Sequence, residues 1–340
     1  MAVLNSFPGR SARSCDFAWS PGCATEGQIH RNSPWYDIAL APVRPEFERP
    51  QASGAGSVAD IRFQLRNCGQ VTLHVAEAGP ATGSPVILLH GFPEFWFGWR
   101  HQIQALADAG HHVIVPDQRG YNLSDKPKAV AEYDLDRLAS DVVGLANTLK
   151  LEQFSIVGHD WGAAVAWWFA ERHPDRVRRL AVMNAPHPAI WRRAMDEDPE
   201  QRRLSRYVRL LGIRGLPEMF LRAGSYRGLI DALNDSACPP SGEEIARYRE
   251  AWQRPGALSG MINWYRAILR RKLVPPAAGS IAIPTQIVWG GKDKYALLRL
   301  AEASRALCRR GNLTIFPSAT HWVQHDEVER VNMILLEFLK

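Results

Sequence analysis

The chain has 340 residues, 46% of them hydrophobic, and a formal charge of +6. That apolar content supplies a sizeable core and excludes a disordered chain, and the length suits one large domain with an insertion or two smaller ones. Its basic residues are mostly scattered pairs (Arg192-Arg193, Arg202-Arg203, Arg270-Arg271, Arg309-Arg310) without a basic–aromatic module, which reads as solvated helix faces and excludes a nucleic-acid partner. Cys15, Cys23, Cys68, Cys238 and Cys308 are odd in number and lack a C-x-x-C, pointing to free thiols in a reducing, cytoplasmic compartment and to no metal site. No apolar run reaches the roughly eighteen residues that a membrane span needs.

Residues 1–57 are rich in Pro, Gly, Ser and Arg without apolar periodicity and read as a poorly ordered extension. Arg10, Arg13 and several serines with no acid faintly suggest a transit peptide, though a simple tail or an upstream start codon fits better. From Val58 the pattern is globular. Stretches 61–66 and 71–78 alternate apolar and polar residues across Asn67-Cys68-Gly69-Gln70, a hairpin signature. Pro85–Leu89 predicts a buried strand, followed by His90-Gly91-Phe92-Pro93-Glu94 and a helix through Ala109. A second buried strand spans His112–Val115, and Tyr133–Leu149 carries Leu135, Leu138, Val142, Leu145 and Leu149 at helical spacing. Phe154, Ile156 and Val157 suit another buried strand, Ala163–Ala170 a helix, and Val177–Met183 the next strand. Strands alternating with helices predict a mostly parallel sheet with right-handed crossovers and a ligand site beyond the carboxyl ends of its strands. From about 189 to 276 the alternation gives way to helices, read as a cap over that site. It then resumes with a strand at Ile283–Trp289, a helix at Ala296–Cys308 and a last strand at Leu313–Phe316.

The chemistry concentrates between the strand at 154–157 and the helix at 163–170. Gly158, Gly162 and Ala163 flank Asp160 in a small-x-Asp-x-small-small pattern. Only small neighbours allow so sharp a strand–helix turn, which strains its central residue and exposes that side chain. In the serine form of this turn, G-x-S-x-G, the serine is a nucleophile. Asp160 takes that place here, and no stretch of the chain puts a serine there. A carboxylate nucleophile needs a base to hydrolyse the ester it forms, and the base needs an orienting acid. Asp293 and His321 each follow one of the last two strands, so Asp160, Asp293 and His321 stand in nucleophile–acid–base order. The backbone N–H of Trp161, at the helix start, and that of Phe92, after the first parallel strand, are the expected oxyanion donors.

These motifs resemble the epoxide hydrolase family of the α/β-hydrolase superfamily from about Ile61 to the C-terminus. The likeness rests on His90-Gly91-Phe92-Pro93-Glu94, Asp117-Gln118-Arg119-Gly120-Tyr121, Ser124-Asp125-Lys126-Pro127, Gly158-His159-Asp160-Trp161-Gly162, Asn184-Ala185-Pro186-His187-Pro188, Trp289-Gly290-x-x-Asp293 and His321-Trp322. It implies an α/β-hydrolase fold with a mostly parallel eight-stranded sheet, core segments at 58–185 and 281–340, and a helical cap at 186–280. It further implies a cis Phe92-Pro93 bond and two cap tyrosines that donate to the epoxide oxygen. Asn263-Trp264-Tyr265-Arg266 is similar to one tyrosine motif, and Ser205-Arg206-Tyr207, ahead of Gly215-x-x-Glu218, resembles the other; Tyr226 and Tyr248 then read as packing residues. By the same resemblance Trp161, Phe92, Phe95 and Trp96 line an apolar pocket, and His90 and Pro93 belong to the substrate-binding set. The implied reaction converts a small hydrophobic epoxide and water to a vicinal diol, with no metal or organic cofactor and with a homodimer left open.

A haloalkane-type dehalogenase shares the Asp nucleophile, but Phe92 offers no side-chain halide donor, and a fluoroacetate-type enzyme would want Arg where Trp161 stands. A non-catalytic hydrophobic-ligand binder of the same fold has no use for the triad and the tyrosine pair together.

Overall fold

The structure is a computed structural model that describes residues 60–340. The extension expected at residues 1–57 lies outside the described residues. Strands β1 (Arg62–Asn67) and β2 (Thr72–Ala78) form the predicted hairpin. Next come β3 (Pro85–Leu89), α1 (Arg100–Asp108), β4 (His112–Pro116), α2 (Leu135–Thr148), β5 (Phe154–His159), α3 (Trp161–Arg172) and β6 (Val177–Met183). Helices α4 (Pro188–Glu197), α5 (Pro199–Leu204), α6 (Arg206–Leu211), α7 (Leu216–Leu233), α8 (Gly242–Gln253) and α9 (Ala257–Ile268) make up the insertion, which holds no strand. The chain closes with β7 (Thr285–Gly290), α10 (Leu298–Arg305), β8 (Gly311–Phe316), α11 (Val323–Asp326) and α12 (Val328–Phe338).

The eight strands form one sheet in the order β1-β2-β4-β3-β5-β6-β7-β8. β2 runs antiparallel to both its neighbours, and β3 to β8 are mutually parallel. β3, β4 and β5 are apolar-rich and buried along nearly their whole length because helices cover both faces of a parallel sheet. Trp167, Phe169 and Leu145 pack on one face, and Ile103, Leu106, Val331 and Leu335 on the other. β1 is an edge strand whose Phe63 and Leu65 remain exposed.

Three boundaries differ from expectation for local reasons. A 3-10 turn at Trp96–Trp99 precedes α1, and another at Val130–Tyr133 precedes α2, whose N-terminus is capped by the Asp134 side chain. α10 stops at Arg305, where the chain turns through Leu307 and Cys308 to bridge Ile281.

At the end of β5 the chain reverses into α3 through Asp160, whose φ of 50° and ψ of −120° lie where L-residues carry strain. Glycine is required on both sides of it. A Cβ on Gly158 would stand 2.4 Å from the Gly162 carbonyl oxygen, and one on Gly162 would stand 2.0 Å from that of Leu89. Gly162→Ala is therefore expected to cost about 1–3 kcal/mol in urea unfolding, because α3 must retreat from β3. An unchanged unfolding midpoint would contradict this packing.

Candidate active site

β5, β6, β7 and β8 deliver four side chains to one place at the carboxyl edge of the sheet. Asp160 follows β5, Asn184 follows β6, Asp293 follows β7, and His321 follows β8. The carboxylate of Asp160 accepts the backbone N–H of Phe92 at Oδ1, 2.8 Å away, and its Oδ2 lies 3.5 Å from Nε2 of His321. On the other side of the ring, Nδ1 of His321 stands 2.9 Å from Oδ2 of Asp293. That contact assigns the Nδ1 proton to the Asp293 hydrogen bond and directs Nε2 at Asp160.

Asp293 is buried and fully engaged. Its Oδ1 accepts the N–H groups of Tyr295 (2.7 Å) and Ala296 (3.1 Å), and its Oδ2 also accepts Nδ2 of Asn184 at 2.7 Å. Asn184, itself at a φ of 46°, returns its Oδ1 to the N–H of Gly290. It thus locks the loop after β7 to the end of β6.

The charges follow from this arrangement. Burial opposes ionisation of Asp160, but the hydrogen bond and charge of His321, with smaller help from His159 and the Phe92 N–H, hold its carboxyl below the usual range. For His321 burial favours the neutral ring, yet Asp293 and Asp160 outweigh it and raise the pKa to about 10.

Helices of the insertion close the site from above. Tyr207 on α6 and Tyr265 on α9 have ring centroids 6.0 Å apart, and Tyr265 stands edge-on to Trp161 and Phe92. Burial holds both phenols protonated, well above their ordinary pKa, and the nearby Asp160 charge adds to it. Two cavities meet at Asp160, Tyr207, Tyr265, Tyr295 and His321. One, of about 80 Å³, runs past Trp161, Pro186 and Trp191; the other, of about 310 Å³, runs past Phe92, Leu211, Leu221 and Leu229.

Asp160, Asp293, His321, Tyr207, Tyr265, Phe92 and Trp161 are therefore brought together. His90, Pro93, Phe95 and Trp96 are not: none lines either cavity. His90 is buried, with Nε2 accepting the Gln118 N–H, and the Pro93 carbonyl accepts the Trp252 indole N–H. Phe95 packs on Phe97 and Tyr248, and Trp96 on Phe63. The Phe92-Pro93 bond is cis, and the rings of Phe95 and Trp96 pack among other aromatic side chains. Tyr226 and Tyr248 stay outside both cavities, as expected.

Sequence reading missed Asn184 as an Asp293 partner and Tyr295, whose ring lies 4.9 Å from that of His321 and whose hydroxyl reaches Asp235. It also missed a buried cluster below the site. Glu94 accepts the Tyr248 hydroxyl and Nε2 of His325, both at 2.8 Å, and Nε2 of Gln324 at 3.2 Å. His159 lies 3.7 Å from the same carboxylate, and its Nε2 meets the backbone oxygen of His321. Among the described residues no cluster of three or more His, Cys, Asp or Glu is placed to hold a metal ion, and no helix is long and apolar enough to cross a membrane.

A family profile described as alpha/beta hydrolase fold matches residues 84–328. The chain belongs to the α/β-hydrolase superfamily and, within it, to the epoxide hydrolase family. It is 40% identical over 282 residues to the AB hydrolase superfamily protein YfhM of Bacillus subtilis, covering 82% of this chain and 98% of that one. With epoxide hydrolase A of Mycobacterium tuberculosis it shares 35% identity, across 81% of this chain and 96% of the relative. A crystal structure of Bacillus megaterium epoxide hydrolase in complex with an inhibitor superposes with a TM-score of 0.73 at 29% identity, covering 82% of this chain and 99% of that chain.

The Glu94 cluster generates a pH prediction. Burial would raise the Glu94 pKa, but His325 and His159 outweigh it and hold the carboxyl well below its ordinary 4.5. A carboxylate depressed by folding contributes stability above its unfolded pKa, and that contribution is lost as pH falls from about 4.5 toward the folded value. Thermal unfolding of Glu94→Gln should therefore vary less with pH below 4.5 than that of the wild type. An equal or steeper acid dependence in the variant would contradict it.

Proposed function

We propose that this chain hydrolyses epoxides to vicinal diols through an ester on Asp160. The single observation that carries the reading is a carboxylate on the strained turn, sharing a cavity with the two phenols of Tyr207 and Tyr265 and with a histidine–carboxylate couple beside it. Residues 58–185 and 281–340 act as the core that holds the triad, and residues 186–280 as the cap that supplies Tyr207 and Tyr265.

In the first step an oxygen of Asp160 attacks a ring carbon in line with the breaking C–O bond. Oδ1 is held by the Phe92 N–H, so Oδ2 is the attacking atom and Oδ1 becomes the ester carbonyl oxygen. The electron pair of the broken bond stays on the epoxide oxygen, which takes a proton from Tyr207 or Tyr265. Protonation is needed because an alkoxide is a poor leaving group, and phenols kept neutral at working pH can donate to it.

In the second step His321 takes a proton from water, and the hydroxide adds to the ester carbonyl carbon. Negative charge develops on Oδ1, where the N–H groups of Phe92 and Trp161 are the proposed donors, each worth about 3–4 kcal/mol. Collapse releases the diol and restores the Asp160 carboxylate, and the proton taken from water leaves His321 protonated as it was at rest. The pKa of His321 fits this order of events. Both carboxylates keep it protonated at rest, and esterification of Asp160 removes one of them, so the ring yields its resting proton to the tyrosinate left by ring opening and is then free to take one from water.

The test is diol formation from a panel of aromatic, aliphatic and terpenoid epoxides, followed by single-turnover ring opening in tyrosine variants. Tyr207→Phe and Tyr265→Phe should each slow ring opening, and the double variant should lose about 10²–10⁴-fold while still binding substrate. A double variant with wild-type ring opening would contradict the assignment.

A further inference from the structure

The segment from the end of α6 to the middle of α7 turns an apolar face outward. Eleven large hydrophobic side chains are exposed among the described residues, and five of them lie in residues 210–220: Leu210, Ile213, Leu216, Met219 and Phe220. Leu216, Met219 and Phe220 stand at i, i+3 and i+4, so they form one stripe on α7, and Phe220 is 68% exposed. The opposite stripe faces inward, with Pro217 buried and Leu221 lining the larger cavity. An exposed apolar patch this concentrated marks an interaction surface.

The charge around it indicates the partner. Arg203, Arg206, Arg209, Arg214 and Arg222 are exposed on the same stretch and make no ion pair among the described residues. The acids nearby are already engaged, Glu218 by Arg266 at 2.8 Å and Asp231 by Arg227 at 2.7 Å. Beside the start of α7 a groove of about 600 Å³ is lined by Lys126, Lys128, Arg270 and Arg214, together with the Glu218–Arg266 pair.

We propose that this face docks the protein on an anionic lipid surface. An apolar stripe flanked by uncompensated Arg and Lys is the pattern of a helix that lies in the headgroup layer. Leu216, Met219 and Phe220 enter the acyl boundary while the arginines and the lysine-lined groove meet lipid phosphates. Face-to-face contact with a second copy would set the same positive charges against each other, which disfavours that occupant. Leu210 belongs both to the exposed patch and to the wall of the larger cavity, so the docked face is continuous with that cavity. Delivery of a lipophilic epoxide from the membrane by this route rests on the function proposed above; the docking itself does not.

The experiment is flotation of the full-length protein, without substrate, with phosphatidylglycerol or phosphatidylcholine vesicles. Binding is expected to phosphatidylglycerol alone and to fall as added salt screens the charges. A Met219→Ser, Phe220→Ser double variant should float less. Arg209→Glu and Arg214→Glu should each lower the partition coefficient by about fivefold or more, with thermal unfolding midpoints matching the wild type. Absence of flotation with phosphatidylglycerol, or flotation unchanged in these variants, overturns the proposal. So does a dimer in light scattering that the Met219→Ser, Phe220→Ser variant dissociates, which would assign the patch to a second copy. Diol assays on the same samples separate this outcome from failure of the epoxide reading.

Discussion

The close approach of α3 to the carboxyl ends of β3 and β5 sets the position of Asp160 and of the Phe92 N–H beside it. Gly162 sits against the Leu89 carbonyl and Gly158 against the turn, so the chain reverses within one residue. Asp160 takes up the strain of that reversal, at an order of 1–3 kcal/mol, and its side chain projects into the cavities instead of capping α3. The same approach carries the loop after β3 against Asp160, which is why the Phe92 N–H reaches Oδ1. Widening this contact would move nucleophile and donor apart together.

The electrostatics depend on how few charges share the site. Asp160 and Asp293 flank one imidazole, and apart from Asn184 the remaining walls are aromatic or aliphatic. In such surroundings removal of one carboxylate by esterification is felt strongly by His321, because a largely apolar wall screens charge less than bulk water does. Asn184 and the backbone donors at Asp293 keep the second carboxylate in place through that change. The phenols answer the opposite need, staying protonated beside an anion until a stronger base forms on the substrate.

Features that repeat along the chain were legible in the sequence. Continuous apolar runs such as Pro85–Leu89 marked the parallel strands, and leucine spacing marked α2. The strand–turn–helix pattern located Asp160, and chain order with position after a strand located Asp293 and His321. Loop side chains were less legible, because a non-periodic loop does not encode which way its residues point. His90, Pro93, Phe95 and Trp96 share a segment with Phe92 yet line neither cavity. Long-range partners were hidden for a related reason. Asn184 meets Asp293 across 109 residues and Glu94 meets Tyr248 across 154, and neither pair carries a local signal. The interruption of α7 at Ala223–Tyr226, where Gly224, Ser225 and Tyr226 take positive φ, was not announced by helix propensity either.

The central claim, an ester on Asp160 cleaved by water that His321 activates, is tested most directly by intact-protein mass. A His321→Gln variant mixed with epoxides should gain the whole mass of the substrate, and peptide mapping should find it on Asp160. No gain with any epoxide, while wild-type protein forms diol, would contradict the account. A gain equal to a chloroalkane minus HCl, with none from epoxides, would instead assign the nucleophile to halide displacement.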